Sequence, residues 1–379
     1  PPHKLVGVPF TLTSTSRADG LGVRCRTPRP RVPDCVTLLS TGSGLHPRSS
    51  TDLRNLALGI LPTSMLAGEV ASMTFQIEKT ADLLAQGMPK RQVDRLARVD
   101  GMLGLRVVGQ EPDDRRLVRI HAAWAKAPAG SVLAGWAAAV VHGVPADFLD
   151  GMAGDAPRPV DLCVPATAGS YDTRGLRPRR TRVPESQRAQ EGDLVVTSPQ
   201  RTALDLARWA RSEPRRLAML DLSARFGLID KDEFAQFIAP LGGLHRLNNV
   251  RELAPLISAR AESVPESEMR FRWINAELPA PVANQPVHDR FGNFVARVDL
   301  FDPESGLAAE YQGFWHDLDL APELDEARLT RLRGMNLTVV EIRKEDRDRV
   351  EDLLLEGYSR ARARDQRMDA WTCPRVEDA

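Results

Sequence analysis

The chain has little cysteine, no long apolar run and no net charge. Its four cysteines are widely separated and form no Cys-x-x-Cys pair, which argues against a disulfide framework and structural zinc and fits a reducing cytoplasm. No apolar run approaches the roughly 20 residues needed to cross a bilayer, so no membrane association is expected. Lysine plus arginine total 51 and aspartate plus glutamate total 51, so any affinity for nucleic acid must come from local patches. We therefore expect a cytoplasmic protein.

Length and composition indicate several folded domains behind an irregular N-terminal region. A chain of 379 residues exceeds a comfortable single core and should hold two or three domains. Hydrophobic content of 42% with 27% charged residues is typical of globular protein. Residues 1–72 are rich in Pro, Arg, Ser, Thr and Gly without sustained periodicity. They are predicted to be either a disordered basic arm or an over-extended N-terminus whose natural start is Met65 or Met73.

The stretch from Arg297 to His316 is the most informative part of the sequence. Val298–Phe301 and Leu307–Gln312 are short apolar runs, and the Asp-Pro-Glu-Ser-Gly segment at 302–306 between them is rich in turn-forming residues. This pattern predicts a β-hairpin.

The hairpin carries two carboxylates and an amide. Because side chains alternate along a strand, Glu310 and Gln312 point the same way. If Asp299 sits across the hairpin from that face, its oxygens and those of Glu310 converge, and Mg²⁺ favours such oxygen clusters. The alternative is that both acids are ordinary solvent-facing strand residues, although acidic residues are depleted in strands.

These residues resemble a nuclease core. Asp299 followed by Glu310-Tyr311-Gln312 resembles the Asp…Glu-x-Lys core of the PD-(D/E)XK nuclease superfamily, and residues 311–316 resemble the segment after the second core strand in very-short-patch repair endonucleases and their relatives. The resemblance implies a restriction-endonuclease-like αβββαβ core in which Asp299 and Glu310 hold Mg²⁺.

The resemblance extends over about Ser263 to Arg347. Residues 263–270 are similar to the opening helix of the same relatives, where a glutamate joins the metal ligands, and Glu266 matches that position best. The implied metal ligands are therefore Asp299, Glu310 and Glu266.

The third position of the motif departs from the superfamily. Lysine is usual there and aspartate is frequent in these relatives, but this chain has Gln312. A neutral amide can hold a water molecule but cannot act as a base or supply charge. His316, whose ordinary pKa lies near neutrality, is then the candidate general base. The predicted catalytic residues are Asp299, Glu310, Gln312 and His316.

A second motif lies between Phe75 and Val108. Apolar residues from Ile77 to Ala85 recur at helical spacing, Gly87 breaks the run, and Pro89 opens a second, basic helix that is followed by a short wing strand over Leu103–Val108. This outline resembles the N-terminal winged helix-turn-helix of AbiEi-type antitoxins of type IV toxin–antitoxin systems. The resemblance implies DNA contacts by Lys90, Arg91, Gln92, Arg95 and Arg98. The alternative is a helical hairpin whose arginines are only solvated.

The densest basic cluster outside the N-terminal region runs from Arg174 to Arg188. Its members Arg179, Arg180 and Arg182 are candidates for DNA phosphate contact. The alternative, nearly as well supported, is a solvated loop or an edge strand protected from aggregation by charge.

A strand-to-helix junction follows at residues 194–207. Ser198 is a suitable N-cap with Pro199 at the first helical position. Arg201 and Asp205, at i and i+4, are expected to form a surface pair on this helix.

Two functions are compatible with these motifs. The first is a DNA-binding protein with a nuclease-like domain, a Mg²⁺-dependent DNA endonuclease if active. The second is a non-catalytic AbiEi-like antitoxin and autorepressor whose partner is a nucleotidyltransferase-like toxin. The expected fold class is α+β and multidomain. The expected domains are 1–72, irregular; 73–112, winged helix-turn-helix; 113–258, a mixed α/β middle domain; and 259–379, restriction-endonuclease-like.

Overall fold

The computed structural model describes residues 75–112, 114–149, 158–312, 322–365 and 370–374. They form a structure of mixed helices and sheets, which agrees with the expected α+β class. The strands are β1 (Phe75–Lys79), β2 (Leu105–Gly109), β3 (Val132–Leu133), β4 (Val160–Val164), β5 (Leu176–Arg180), β6 (Arg188–Glu191), β7 (Leu194–Thr197), β8 (Val282–Asp289), β9 (Phe294–Asp302), β10 (Leu307–Gln312), β11 (Thr338–Arg343) and β12 (Trp371–Thr372). The helices are α1 (Thr80–Ala85), α2 (Lys90–Arg95), α3 (Arg115–Lys126), α4 (Gly135–Val141), α5 (Pro199–Trp209), α6 (Glu213–Arg225), α7 (Lys231–Ile238), α8 (Leu247–Leu253), α9 (Val264–Asn275), α10 (Pro322–Gly334), α11 (Val350–Ala363). None of these helices is long and apolar enough to cross a membrane. The predicted irregular region 1–72 lies outside the described residues.

The first described segment begins with a strand where a helix was expected. β1 pairs antiparallel with β2 along its whole length, and the short helices α1 and α2 lie between them. Phe75 is buried and packs edge-on against His121, with ring centroids 5.3 Å apart. The helix expected from Ile77 onward was therefore wrong for residues 77–79 and begins at Thr80 instead. Pairing with a distant strand outweighed the local pattern.

The middle region is built on a five-stranded sheet with the order β5-β4-β3-β7-β6. The basic segment predicted as a loop or edge strand supplies β5, which lies at one edge. Ser198 caps α5, its side chain accepting from the backbone N–H of Arg201. Arg201 and Asp205 pair as expected, but the prediction that they do so at the surface is wrong, because their side chains are 2% and 0% exposed.

The C-terminal region follows the expected αβββαβ order through α9, β8, β9, β10, α10 and β11. Its sheet has the order β11-β10-β9-β8-β12, in which β10 and β11 are parallel and the other neighbours are antiparallel. Helices α9 and α11 cover one face and α10 covers the other. The first face buries Met269, Trp273, Leu300, Leu307, Ala309, Val340, Ile342 and Leu354. The second face buries Val287, Val298, Phe301, Ala308, Leu332 and Trp371.

The regions on either side of the boundary expected near residue 258 pack against each other. Helix α6 of the middle region packs along α9 of the C-terminal region. At their contact the fully buried carboxylate of Asp221 accepts from the Arg270 guanidinium at 2.7 and 2.8 Å and from the Ser258 backbone N–H at 2.9 Å. The two regions therefore share a buried ion pair.

Candidate acidic site between two central strands

The candidate site lies where β9 and β10 separate. Their pairing ends at Ala309 opposite Leu300, although β10 continues beside β11 as far as Gln312 opposite Arg343. Just beyond the last pair, Oδ2 of Asp299 accepts a hydrogen bond of 2.8 Å from the backbone N–H of Tyr311. The half-buried Asp299 side chain thus satisfies a backbone group that has no partner on β9.

Glu310 is held by an arginine from the opposite layer. Strand alternation places Glu310 on the same face as Ala308, which is the face covered by α10. Glu310 is 3% exposed, and Arg328 of α10 donates from Nη1 to Oε1 and from Nη2 to Oε2, both at 2.6 Å. This two-pronged arrangement is the strongest form of an arginine–carboxylate contact.

Glu266 reaches the site from the first turn of α9. Ser263 caps this helix by accepting from the Glu266 backbone N–H at 3.3 Å. Oε2 of Glu266 accepts from the backbone N–H of Glu262 at 2.9 Å and from the amide of Asn284 at 2.8 Å. These contacts fix the carboxylate at the helix N-terminus, where negative charge is favoured.

The charges of Glu266 and Glu310 both act on Asp299. The pKa of Asp299 is raised to about 7, chiefly by burial and then by the charges of Glu266 and Glu310, against a lowering by the Tyr311 N–H and by Arg328. A carboxyl group with such a pKa is part protonated near neutrality. A cation beside it would favour the ionised form.

Two of the three carboxylates at this site could bind Mg²⁺. Oδ1 of Asp299 and Oε1 of Glu266 accept no hydrogen bond within the described residues, so each has an oxygen to offer. Both oxygens of Glu310 are occupied by Arg328. Across the described ranges, no group of three or more His, Cys, Asp or Glu side chains is arranged to hold a metal ion. Magnesium commonly uses only one or two carboxylates together with water and phosphate oxygens, so Asp299 and Glu266 suffice in number.

The two remaining catalytic candidates have different outcomes. Gln312 is the half-buried last residue of β10, and alternation places it on the same side as Glu310. His316 lies outside the described residues.

The predicted DNA contacts on α2 and just after it are all exposed. Val93 turns inward and is 1% exposed, which leaves the opposite side of α2 to solvent. Of the basic side chains, Lys90 forms an ion pair with Asp94 at 2.6 Å. The exposed candidates are Lys90, Arg91, Gln92, Arg95 and Arg98.

The candidate arginines of β5 and of the segment just after it divide into a structural member and exposed members. Arg179 contacts the buried carboxylate of Asp161 at 3.3 Å and stacks on Trp209, with its guanidinium carbon 4.4 Å from the ring centre. Its charge is therefore already engaged within the fold. Arg180 is exposed and donates to two backbone carbonyls, and Arg182 is exposed.

Sequence reasoning missed the role of Arg328 at this site. It was one of several arginines on a basic helix, and nothing in the spacing distinguished it from Arg331 or Arg333. Asn284 was missed as well. It adopts a left-handed backbone conformation, φ 50°, and its amide ties Glu266 to the carbonyl of Arg260. An asparagine in a strand is the one sequence signal that could have identified it.

Comparison with known proteins identifies relatives but no function. No protein-family model matches the chain, and no solved structure matches it significantly. Two proteins of Mycobacterium tuberculosis, the uncharacterized proteins MT2308 (strain CDC 1551 / Oshkosh) and Rv2248 (strain ATCC 25618 / H37Rv), are 35% identical to it over 153 residues. The match covers 40% of this chain and 56% of each relative, so the chain spans about half the length of the curated relatives it matches.

Proposed function

We propose that this is a cytoplasmic DNA-binding protein whose C-terminal region is a restriction-endonuclease-like module that hydrolyses phosphodiester bonds with Mg²⁺. The observation that carries the proposal is that Asp299, where β9 and β10 separate, lies near enough to Glu266 and Glu310 for both of their charges to act on it. Two of these carboxylates have an oxygen directed to no other described residue, and a nearby arginine can meet a phosphate. The αβββαβ order of the surrounding elements supports the same proposal.

The residues have distinct tasks in this proposal. Asp299 and Glu266 would hold the ion, which supplies an activated water and offsets charge on the phosphate when bound. Gln312 orients the attacking water through its amide, and His316 accepts its proton. Glu310 holds Arg328 beside the site, and Arg328 can transfer its hydrogen bonds from Glu310 to a phosphate oxygen of the substrate.

The test is Mg²⁺-dependent nicking of supercoiled plasmid DNA. Asp299→Ala and Glu310→Ala should each reduce nicking by at least ~100-fold, the usual scale for loss of an electrostatic catalytic group. Glu304→Ala is the matched control, because Glu304 is an exposed acid in the turn of the same hairpin. Nicking that survives both Asp299→Ala and Glu310→Ala would exclude this site.

A second function is favoured by one specific observation. Arg328 occupies both oxygens of Glu310, and Gln312 brings no charge, which together suit a module that has lost catalysis. In this alternative the protein is an AbiEi-like antitoxin that represses its own promoter, with a nucleotidyltransferase-like toxin as its partner. The pairing of β1 with β2 around the exposed basic helix α2 supports a winged helix-turn-helix as its DNA reader.

The alternative is tested by binding to the protein's own promoter. The double variant Arg91→Ala/Arg95→Ala removes two exposed charges from α2 and should weaken the binding by roughly tenfold or more at moderate salt. Lys231→Ala/Arg360→Ala removes the same charge from exposed positions elsewhere and serves as control. Equal affinities of the two double variants would reject the α2 assignment.

A further inference from the structure

A cleft of about 250 Å³ lies beside the acidic site, on the face of the C-terminal sheet that α9 covers and opposite the side on which Glu310 meets Arg328. Its walls come from the start of α6, the side of α9, the end of β10 and the turn that follows β11. Five cationic side chains and one carboxylate line it, which is a strong local excess in a chain without net charge. The cations are Arg215, Arg272, Arg343, Lys344 and Arg347.

The cations differ in how far they are already paired. Arg215 contacts the one lining carboxylate, Glu268, at 3.2 Å, and Arg272 contacts Glu351 at 3.1 Å. Lys344 and Arg347 are exposed, and no carboxylate among the described residues pairs with either of them. Two unpaired charges therefore face the cleft from the turn after β11.

The cleft meets the acidic site at Tyr311. The Tyr311 side chain lines the cleft, and its backbone N–H is the group that donates to Asp299. Because neighbouring residues of a strand point to opposite faces, Tyr311 opens toward the cleft while Glu310 turns to the α10 side. A polymer lying in the cleft would therefore pass within one strand of the three carboxylates.

We propose that this cleft binds the phosphodiester backbone of the DNA strand that the protein acts on, with Lys344 and Arg347 contacting consecutive phosphates. The inference rests on the proposed function, since it assigns the surface that brings DNA to the acidic site. A backbone segment suits a narrow cleft lined by cations, and phosphate contacts of this kind position DNA without reading its sequence. The Tyr311 hydroxyl adds a hydrogen-bond donor at the floor of the cleft.

The experiment measures binding of the full chain to a labelled DNA oligonucleotide of random sequence, in EDTA and over a range of salt concentrations. Lys344→Ala/Arg347→Ala should weaken binding by roughly tenfold and lower the salt slope by about 2, one for each phosphate that is no longer neutralised. Arg349→Ala/Arg360→Ala removes two exposed arginines from nearby residues outside the cleft and should leave both quantities close to those of the wild type.

Several outcomes overturn the proposal. Wild-type affinity and slope in Lys344→Ala/Arg347→Ala would do so, as would an equal reduction in the control variant or no DNA binding by the wild type. Displacement of the DNA by polyglutamate at the same concentration of charge would show that the cleft accepts any polyanion and would reject the nucleic-acid assignment.

Parallel nicking assays separate this inference from the proposed hydrolysis. If Lys344→Ala/Arg347→Ala selectively loses DNA binding but the wild type never nicks DNA, the cleft assignment stands and the proposed hydrolysis is rejected. If the wild type nicks DNA with Mg²⁺ but Lys344→Ala/Arg347→Ala binds DNA unchanged, the proposed hydrolysis stands and the cleft assignment is rejected.

Discussion

Two aspartates of the same hairpin show how surroundings determine what a residue does. Asp302 is buried at the turn, and its oxygens accept from the backbone N–H groups of Glu304 and Ser305 and from the Ser305 hydroxyl. Asp299 lies three residues earlier and has one backbone donor, Tyr311, with two carboxylates close by. Asp302 therefore closes the turn, whereas Asp299 keeps one oxygen that accepts no hydrogen bond within the described residues.

The raised pKa of Asp299 predicts a pH-dependent effect of Asp299→Asn. The folded-state pKa of about 7 lies above the ordinary value of 3.8, so the native state loses stability as pH rises from 3.8 through about 7. Asparagine keeps an acceptor for the Tyr311 N–H and removes the charge. From pH 4.5 to pH 8.5, the free energy of unfolding of the variant should rise relative to that of the wild type by roughly 2 kcal/mol, after allowance for solvent screening.

Urea unfolding at the two pH values measures this gain. Mg²⁺ should stabilise the wild type more at pH 8.5 than at pH 4.5 and should have little effect on Asp299→Asn. A difference in stability between variant and wild type that is the same at both pH values would contradict the raised pKa of Asp299.

Arg328→Ala tests whether Glu310 depends on its arginine. The change leaves a nearly fully buried carboxylate without its main counter-charge and should lower the free energy of unfolding by about 3 kcal/mol. Adding Glu310→Gln should restore most of that stability, because the buried charge is then gone. Arg331→Ala, an exposed position on the same helix, is the control. Thermal denaturation with and without Mg²⁺ measures both effects, and an Arg328→Ala protein as stable as the control would refute the dependence.

The pairing of Arg201 with Asp205 was predictable from sequence, but its burial was not. Spacing of i and i+4 brings the two side chains together on any helix. Asp205 also accepts a hydrogen bond from Arg208, and Arg201 donates one to the side chain of Gln187, which lies in an earlier turn of the chain. These further partners bury the pair of Arg201 and Asp205, and the sequence pattern of one helix cannot predict them.

At the scale of elements, prediction succeeded where local chemistry was sufficient. The turn residues at 302–306 placed the hairpin of β9 and β10 correctly, and the elements from α9 to β11 follow the αβββαβ order that the resemblance implied. It failed at β1, because the partner strand β2 lies about 30 residues further along the chain. Likewise, the sequence suggested that Asp299 and Glu310 meet, but it could not show that a helix would supply Arg328 to one of them.

Helix α11 packs on the sheet through a glycine. A Cβ atom at Gly357 would overlap Cγ2 of Val340 on β11 and lie 3.2 Å from Cδ1 of Leu307 on β10. Gly357→Ala should therefore cost about 2 kcal/mol through overpacking, although alanine ordinarily stabilises a helix interior by up to ~1 kcal/mol. Gly334→Ala, at the end of α10 with open space around it, should be neutral or slightly stabilising. Chemical denaturation compares the two, and a stabilised Gly357→Ala would show that α11 does not approach the sheet this closely.

At the scale of the whole molecule, zero net charge conceals a separation of charge. Carboxylates gather where β9 and β10 separate, and cations gather in the neighbouring cleft on the face that α9 covers. The cleft draws its residues from segments that begin near positions 212, 265, 311 and 342. No local window of the sequence contains this combination, so it could be recognised only once α6, α9 and β11 were placed together.

The buried pair of Asp221 and Arg270 predicts that the middle and C-terminal regions unfold together. Asp221→Ala removes the carboxylate that a buried guanidinium and a backbone N–H depend on, so stability should fall by roughly 3–5 kcal/mol. Because α6 and α9 share this contact, hydrogen exchange should accelerate by a similar factor in β4 and in β10. The exposed Asp232→Ala should change either strand by less than ~0.5 kcal/mol. Hydrogen exchange followed by mass spectrometry resolves both strands, and acceleration confined to one of them would mean that the two regions fold as independent units.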